Sequence, residues 1–198
     1  MENATIENPV RIAVLSQDAV STSTVSSTTG FVNKMKEVAS WYGTVAVTGP
    51  DRWADGSETS AEIIIEVAVS ATTGITDIQY TANVLLAKED LVALFCSNEG
   101  SVMGFLAATA GGEDLANGGK YADLVVSGFG AGSAQKNAVR NGWFYGSVAQ
   151  DPYHIGYQTV VLAIKAAKGE PVADVGVTGV WYDASNIDDK DIALIVYS

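Results

Sequence analysis

The sequence holds one cysteine, Cys96, so no internal disulfide can form. It holds one histidine, His154, which excludes a multi-histidine metal centre, and no acid–histidine cluster surrounds it in sequence. Basic residues are scarce: 11 Lys and Arg against 23 Asp and Glu give a formal net charge of −12. A nucleic-acid backbone needs clustered cations, so nucleic acid is excluded as a partner, and the acidity serves solubility. No apolar run approaches the ~20 residues of a membrane span. Met1 to Thr5 show no basic stretch followed by an apolar one, so no signal peptide is expected there. On that reading the chain is either cytoplasmic or a mature or recombinant piece. Charged residues make up only 17%, too few for a long disordered tail, while 47% apolar residues build a core. Cys96 closes the apolar run from Leu91 and reads as a buried small residue rather than a reactive thiol.

What is present is a repeated alternation of short apolar runs and helical periodicity. Arg11 to Ser16, Thr44 to Val47, Leu91 to Cys96, Asp123 to Ser127 and Phe144 to Ala149 read as strands. Helices are expected over Gly30 to Trp41, from Thr76 with Ile78, Ala82, Leu85 and Leu86 inward, from Ser101 with Val102, Phe105 and Leu106 inward, and over Ala134 to Asn141. Ser21 to Thr29 is too polar and β-branched to be an obvious helix start. Glu62 to Ser70 favours a strand by its isoleucines, with a buried helix as the alternative. From Gly156 a helix presents Tyr157, Val160, Val161, Ile164 and Ala167 on one side and stops at Gly169, in a position suited to a left-handed cap. The tail contains a strand from Val175 to Tyr182 that need not join the same sheet. A short helix capped by Asn186 or Asp188 follows, and then Leu194 to Tyr197.

At least five strand-then-helix units predict an α/β three-layer sandwich, Rossmann- or flavodoxin-like, with a mainly parallel sheet. Right-handed crossovers put every strand's C-terminal end on one edge, where ligands bind. Ser16, Gln17, Asp18, Asp51, Asn98, Glu99, Gly130 and Gln150 all map there. Hydroxyl, amide and carboxylate groups in that number suit a small, neutral, hydrogen-bonding ligand. By themselves Asn98 and Gln150 equally suit satisfying loop backbone groups. Gly128-x-Gly130-x-x-Ser133 after a strand, with Asp151 about twenty residues on, has the layout of a dinucleotide fingerprint, but its third small position is serine. A hydrolase reading fails for want of a G-x-S-x-G elbow. Asp188, Asp189 and Asp191 read as a solvated helix start rather than a metal site. No cofactor and no metal are expected.

Several stretches resemble one family. Ser97-Asn98-Glu99-Gly100, Val125 to Gly132, Gly146 to Tyr157 and Thr178 to Ile192 look like the C-terminal lobe of the ribose/galactose-type sugar-binding proteins of ABC transporters. These share their fold with the effector domains of LacI-type regulators. The resemblance implies a non-catalytic protein, a single lobe of a type I periplasmic binding protein over residues 9–170, and a hinge or crossing tail over 171–198. It implies a monosaccharide ligand, a membrane permease as partner in intact relatives, and action in the periplasm or outside the membrane. Asn98 and Gln150 match the family's ligand-binding positions, and Gln17 and Asp18 stand beside them at the sheet edge. The family's Arg before the first helix is Ser27 here, and its Asp after the later strand is Gly130. Residues 62–75 have no counterpart and are expected as an insertion covering an open sheet edge. A lone lobe exposes what a partner lobe covers, so a homodimer or a self-contained domain is expected.

Overall fold

Seven apolar runs pair into one sheet because none could bury both of its faces alone. The computed structural model describes residues 1–196, and Tyr197, the end of the last apolar run, lies outside them. In chain order the elements are β1 (Val10–Ser16), α1 (Thr22–Ala39), β2 (Val45–Thr48), β3 (Ile63–Val69), α2 (Ile75–Leu86), β4 (Leu91–Cys96), α3 (Glu99–Ala108), β5 (Val125–Phe129), α4 (Ser133–Arg140), β6 (Gly146–Gln150), α5 (Pro152–Ala167), β7 (Gly179–Tyr182) and α6 (Lys190–Ala193). The strand order is β2-β3-β1-β4-β5-β6-β7. The first six are parallel and β7 pairs antiparallel with β6. This is the expected α/β sandwich with a mainly parallel sheet.

The centre of the sheet is the driest part. Leu15, Ile63, Ile64 and Ile65 are essentially without exposed surface. Burying such side chains contributes roughly 1.5–3 kcal/mol each, which is why these unalternating runs form interior strands. Cys96 is buried in the same core, and burial pushes its thiol up from the ordinary value, as an inert small residue requires.

Four expectations change. First, α1 begins at Thr22, inside the stretch that looked too polar for a helix. Thr24 and Thr28 are buried on its inner face, where Thr28 Oγ1 donates to Ser16 Oγ (3.4 Å) and Ser27 Oγ donates to the Ser97 carbonyl (2.6 Å). The Ser16 hydroxyl and the Ser97 carbonyl, on the neighbouring strand ends, satisfy side chains that the sequence alone left polar. Second, Ile63–Val69 does not cover a sheet edge: it lies between β1 and β2, and β2 holds the edge. Third, the tail joins the sheet, with Trp181 opposite Val148 and Tyr182 opposite Ser147. Fourth, α5 starts at Pro152, four residues early, because proline fits the first helical turn and the Asp151 carboxylate accepts the His154 N–H at 3.0 Å. Its expected apolar side, Tyr157 to Ala167, contains no buried residue. With β7 running antiparallel beside β6, no crossover is needed, and nothing draws α5 across the sheet.

Two ion-pair groups tie loops to this frame. Arg11 on β1 bonds Glu58, Glu66 and Asp90, and Lys36 on α1 pairs with Asp55. The hydrogen bond from Arg11 holds the Glu58 carboxyl below its ordinary 4.5, and that from Lys36 holds Asp55 below 3.8. A depressed folded-state pKa lends stability that is complete above the unfolded value and lost as pH falls through the folded one. Urea midpoints are therefore expected to be level from neutrality down to about pH 5 and to fall below about pH 4.5. The double variant Glu58→Gln, Asp55→Asn should show a shallower acid limb, and an unchanged limb would refute the assignment.

Candidate functional site

The C-terminal ends of β4, β5 and β6 and the first turn of α1 converge on one cleft. Its walls are Ser23, Thr24, Ser97, Asn98, Glu99, Phe129, Gly130 and Gln150, around a volume of about 180 Å³. Sites that bury a whole small ligand enclose roughly 300–1,000 Å³, and this cleft is smaller than that. A larger hollow of about 330 Å³ sits at the opposite edge among Lys88, Glu89, Lys120 and Tyr121, where strands begin. The chemistry of an open α/β sheet collects at the other edge, where loops and helix N-termini meet.

Asn98 is the best-anchored group. It follows β4 and caps α3: its Oδ1 accepts from Ser101 N (3.0 Å) and Ser101 Oγ (2.6 Å). Its Nδ2 donates to Gln17 Oε1 at 3.1 Å. The three bonds fix the plane of the amide and leave one N–H of Nδ2 over. Gln17 reaches Asn98 only because residue 100 is glycine: a Cβ there would stand 1.7 Å from Gln17 Oε1. Gln150, at the end of β6, is exposed and presents a second carboxamide across the cleft.

Of the four residues expected to bind ligand, the structure brings Asn98 and Gln150 together in the cleft wall. Gln17 stands behind Asn98. Asp18 does not line the cleft: its Oδ1 accepts from Val20 N (2.9 Å) and Ser21 N (2.6 Å) and turns the chain into α1. That is the ordinary use of an aspartate ahead of a helix. Sequence reasoning missed Ser23, Thr24 and Phe129, which line the wall. The Ser/Thr-rich stretch was the signal, hidden by its being too polar and β-branched for an obvious helix start.

Gly130 has a φ of +124°, a conformation that L side chains rarely adopt. Its carbonyl accepts from Ser147 Oγ (3.1 Å) and from Tyr182 Oη (2.9 Å), and its N–H donates to the Val148 carbonyl. The backbone is clamped in a shape that disfavours any side chain at this position. The dinucleotide reading also fails here. A Cβ at Gly132 would lie 2.0 Å from Glu99 Oε1, so a carboxylate occupies the turn where a pyrophosphate would approach. Asp151 caps α5 instead of ending a strand, and its hydrogen bond with His154 lowers its pKa. Asp188 pairs with Arg140 on the surface (2.7 Å), and among the described residues no group of three or more His, Cys, Asp or Glu is placed to hold a metal.

The family described as "Periplasmic binding protein domain" matches residues 3–171. Among solved structures, the chain is similar to an ABC transporter, LacI family transcriptional regulator from Brachyspira murdochii, at 35% identity and a TM-score of 0.81, over 100% of this chain and 59% of that one. It is also similar to an ABC transporter solute-binding protein from Agrobacterium vitis bound with α-D-tagatopyranose (18%, TM-score 0.72, 98% of this chain and 56% of that one). A second from A. vitis, with bound D-fucose, matches at 22% and 0.70, over 97% and 57%. The chain thus spans less than two thirds of the length of these relatives. No curated protein matches it.

Proposed function

The chain belongs to the periplasmic binding protein family, and on that premise we propose that its cleft holds one side of a monosaccharide, as the solute-binding part of an ABC transport system. The family is non-catalytic, so capture and release are the whole of the chemistry. The observation that carries the reading is the pairing of Asn98 and Gln150 across this cleft at the strand ends. Two carboxamides with the hydroxyls of Ser23 and Thr24 offer neutral donors and acceptors, which suit the hydroxyls of a sugar ring and give no grip on an ion. Phe129 supplies an apolar wall for the ring's C–H face.

Asn98 donates through its remaining Nδ2 hydrogen. Gln150 donates and accepts. Gln17 and Asp18 act by position, the first by orienting Asn98 and the second by setting the start of α1. A second surface completes the site, and a membrane permease is the recipient. The place of action is the periplasm or the outer face of the membrane, as the family description implies. Among the described residues no helix is long and apolar enough to cross a membrane.

Thermal unfolding against pentoses, hexoses and related polyols tests this. A ligand at 100 times its Kd stabilises the fold by ~2.7 kcal/mol, which for a chain of this size is a shift of roughly 5–10 °C. Gln150→Ala removes a hydrogen bond worth about 1 kcal/mol and should weaken binding about fivefold to tenfold. A cooperative transition that no sugar moves would mean a lobe that keeps the fold without the binding, the one other reading that the missing Arg and Asp favour.

A further inference from the structure

One face of the sheet carries α2, α3 and α4, and of the helices only α1 covers the other, lying over β1, β2 and β3 and stacking Phe31 on Phe95 of β4. Seven strands about 4.8 Å apart span roughly 29 Å, and one helix is only about 10 Å across. On the α1 side the start of β5, and β6 and β7, are therefore left without a helix, while Phe129 at the end of β5 packs against the cluster under α1. Val125 is 55% exposed there, Trp181 is 40% exposed, and the Tyr145 ring lies 6.5 Å from that of Trp181. The same chain carries a helix with no sheet. No residue of α5 is buried, although Tyr153, Tyr157, Val160 and Ile164 recur at helical spacing and all stand exposed.

We propose that two copies of the chain exchange α5, the helix of each covering β5, β6 and β7 of the other in a two-fold dimer. Three observations select a second copy as the occupant. The helix and the bare face are complementary in kind, and one operation satisfies both on both copies. The joint is short: Asp151 and Pro152 follow directly on β6, so α5 can be redirected without disturbing a strand pairing. Charge also fits. Pro152–Ala167 contains Lys165 and no acid, Lys168 follows it, and the chain as a whole carries −12. A helix packed antiparallel to the parallel strands brings those lysines to the edge where β5 begins, beside the exposed Asp123.

The test is light scattering on the full chain and on two variants whose substitutions fall on exposed positions. The wild type should have twice the 20.6 kDa chain mass. The helix variant V160E/I164E and the sheet variant V125E/Y145E should each be monomers with wild-type circular dichroism. Mixed in equal amounts they should recover a dimer, because the intact helix of one meets the intact face of the other. A monomeric wild type, whether α5 docks on its own sheet or awaits a separate lobe, overturns the proposal. So does a dimer that the sheet variant leaves intact, which would be a helix-to-helix contact.

Discussion

Arg11→Ala is expected to lower the unfolding free energy by about 1.5–3 kcal/mol, the worth of charge-assisted hydrogen bonds from a buried guanidinium to partly exposed carboxylates. Arg11 lies on β1 between β3 and β4, with only 5% of its side chain exposed. Its Nε donates to both oxygens of Asp90 (3.0 and 3.2 Å), and its two terminal nitrogens donate to Glu58 (3.0 and 2.9 Å) and to Glu66. Burial opposes the charge, and the bonds to Glu58 and Asp90 with the nearby Glu66 charge more than offset it, holding the guanidinium above its ordinary value. Removing it leaves Glu66 with Lys88 alone, at 3.0 Å, and leaves Asp90 without its ion pair. Arg11→Lys should fail nearly as badly, since one ammonium cannot present a planar fork to three carboxylates. Urea denaturation decides this, and a loss below about 1 kcal/mol would show that the carboxylates find water instead. Arg11→Ala with Glu66→Ala should lose less than the sum of the two, because the second change removes a charge that the first strands.

Phe105→Ala should cost about 3–5 kcal/mol by opening a cavity in the core under α3. Phe105 is fully buried on α3 and meets the Phe144 ring edge-on at 5.9 Å and 64°. Around it α3 is seated tightly: a Cβ on Gly104 would stand 2.3 Å from Ile78 Cγ2 of α2. Such close seating leaves little freedom to collapse into the void, which puts the cost at the upper end of the range. Function should respond too. Asn98 caps the N-terminus of α3, so a helix loosened at Phe105 loses the fixed amide at its other end. The expected signature is a lower melting temperature together with a smaller sugar-induced shift, with Phe105→Leu intermediate in both. A full sugar shift on a destabilised protein would separate the core from the site.

The class of fold was legible in the residues, because strands buried on both faces must be short apolar runs, as at Arg11 to Ser16 and Leu91 to Cys96. The family was legible where a strand end, a cap and a helix start fall in one short stretch, as around Asn98 and from Gly146 to Tyr157. These are local requirements, and a sequence states them directly. Tertiary structure alone decided the rest, because it depended on partners far along the chain. Ser27 and Thr28 sit in a helix since the Ser97 carbonyl and the Ser16 hydroxyl stand opposite them. Ile63–Val69 became an interior strand since β2 pairs outside it. Asp18 is taken up by the backbone amides of Val20 and Ser21, while Asn98 kept one hydrogen free. The periodicity of α5 promised a buried face, yet periodicity fixes only that a face is apolar. What covers it depends on which surface the chain brings within reach, and here the strand beside β6 arrives antiparallel and leaves that helix uncovered.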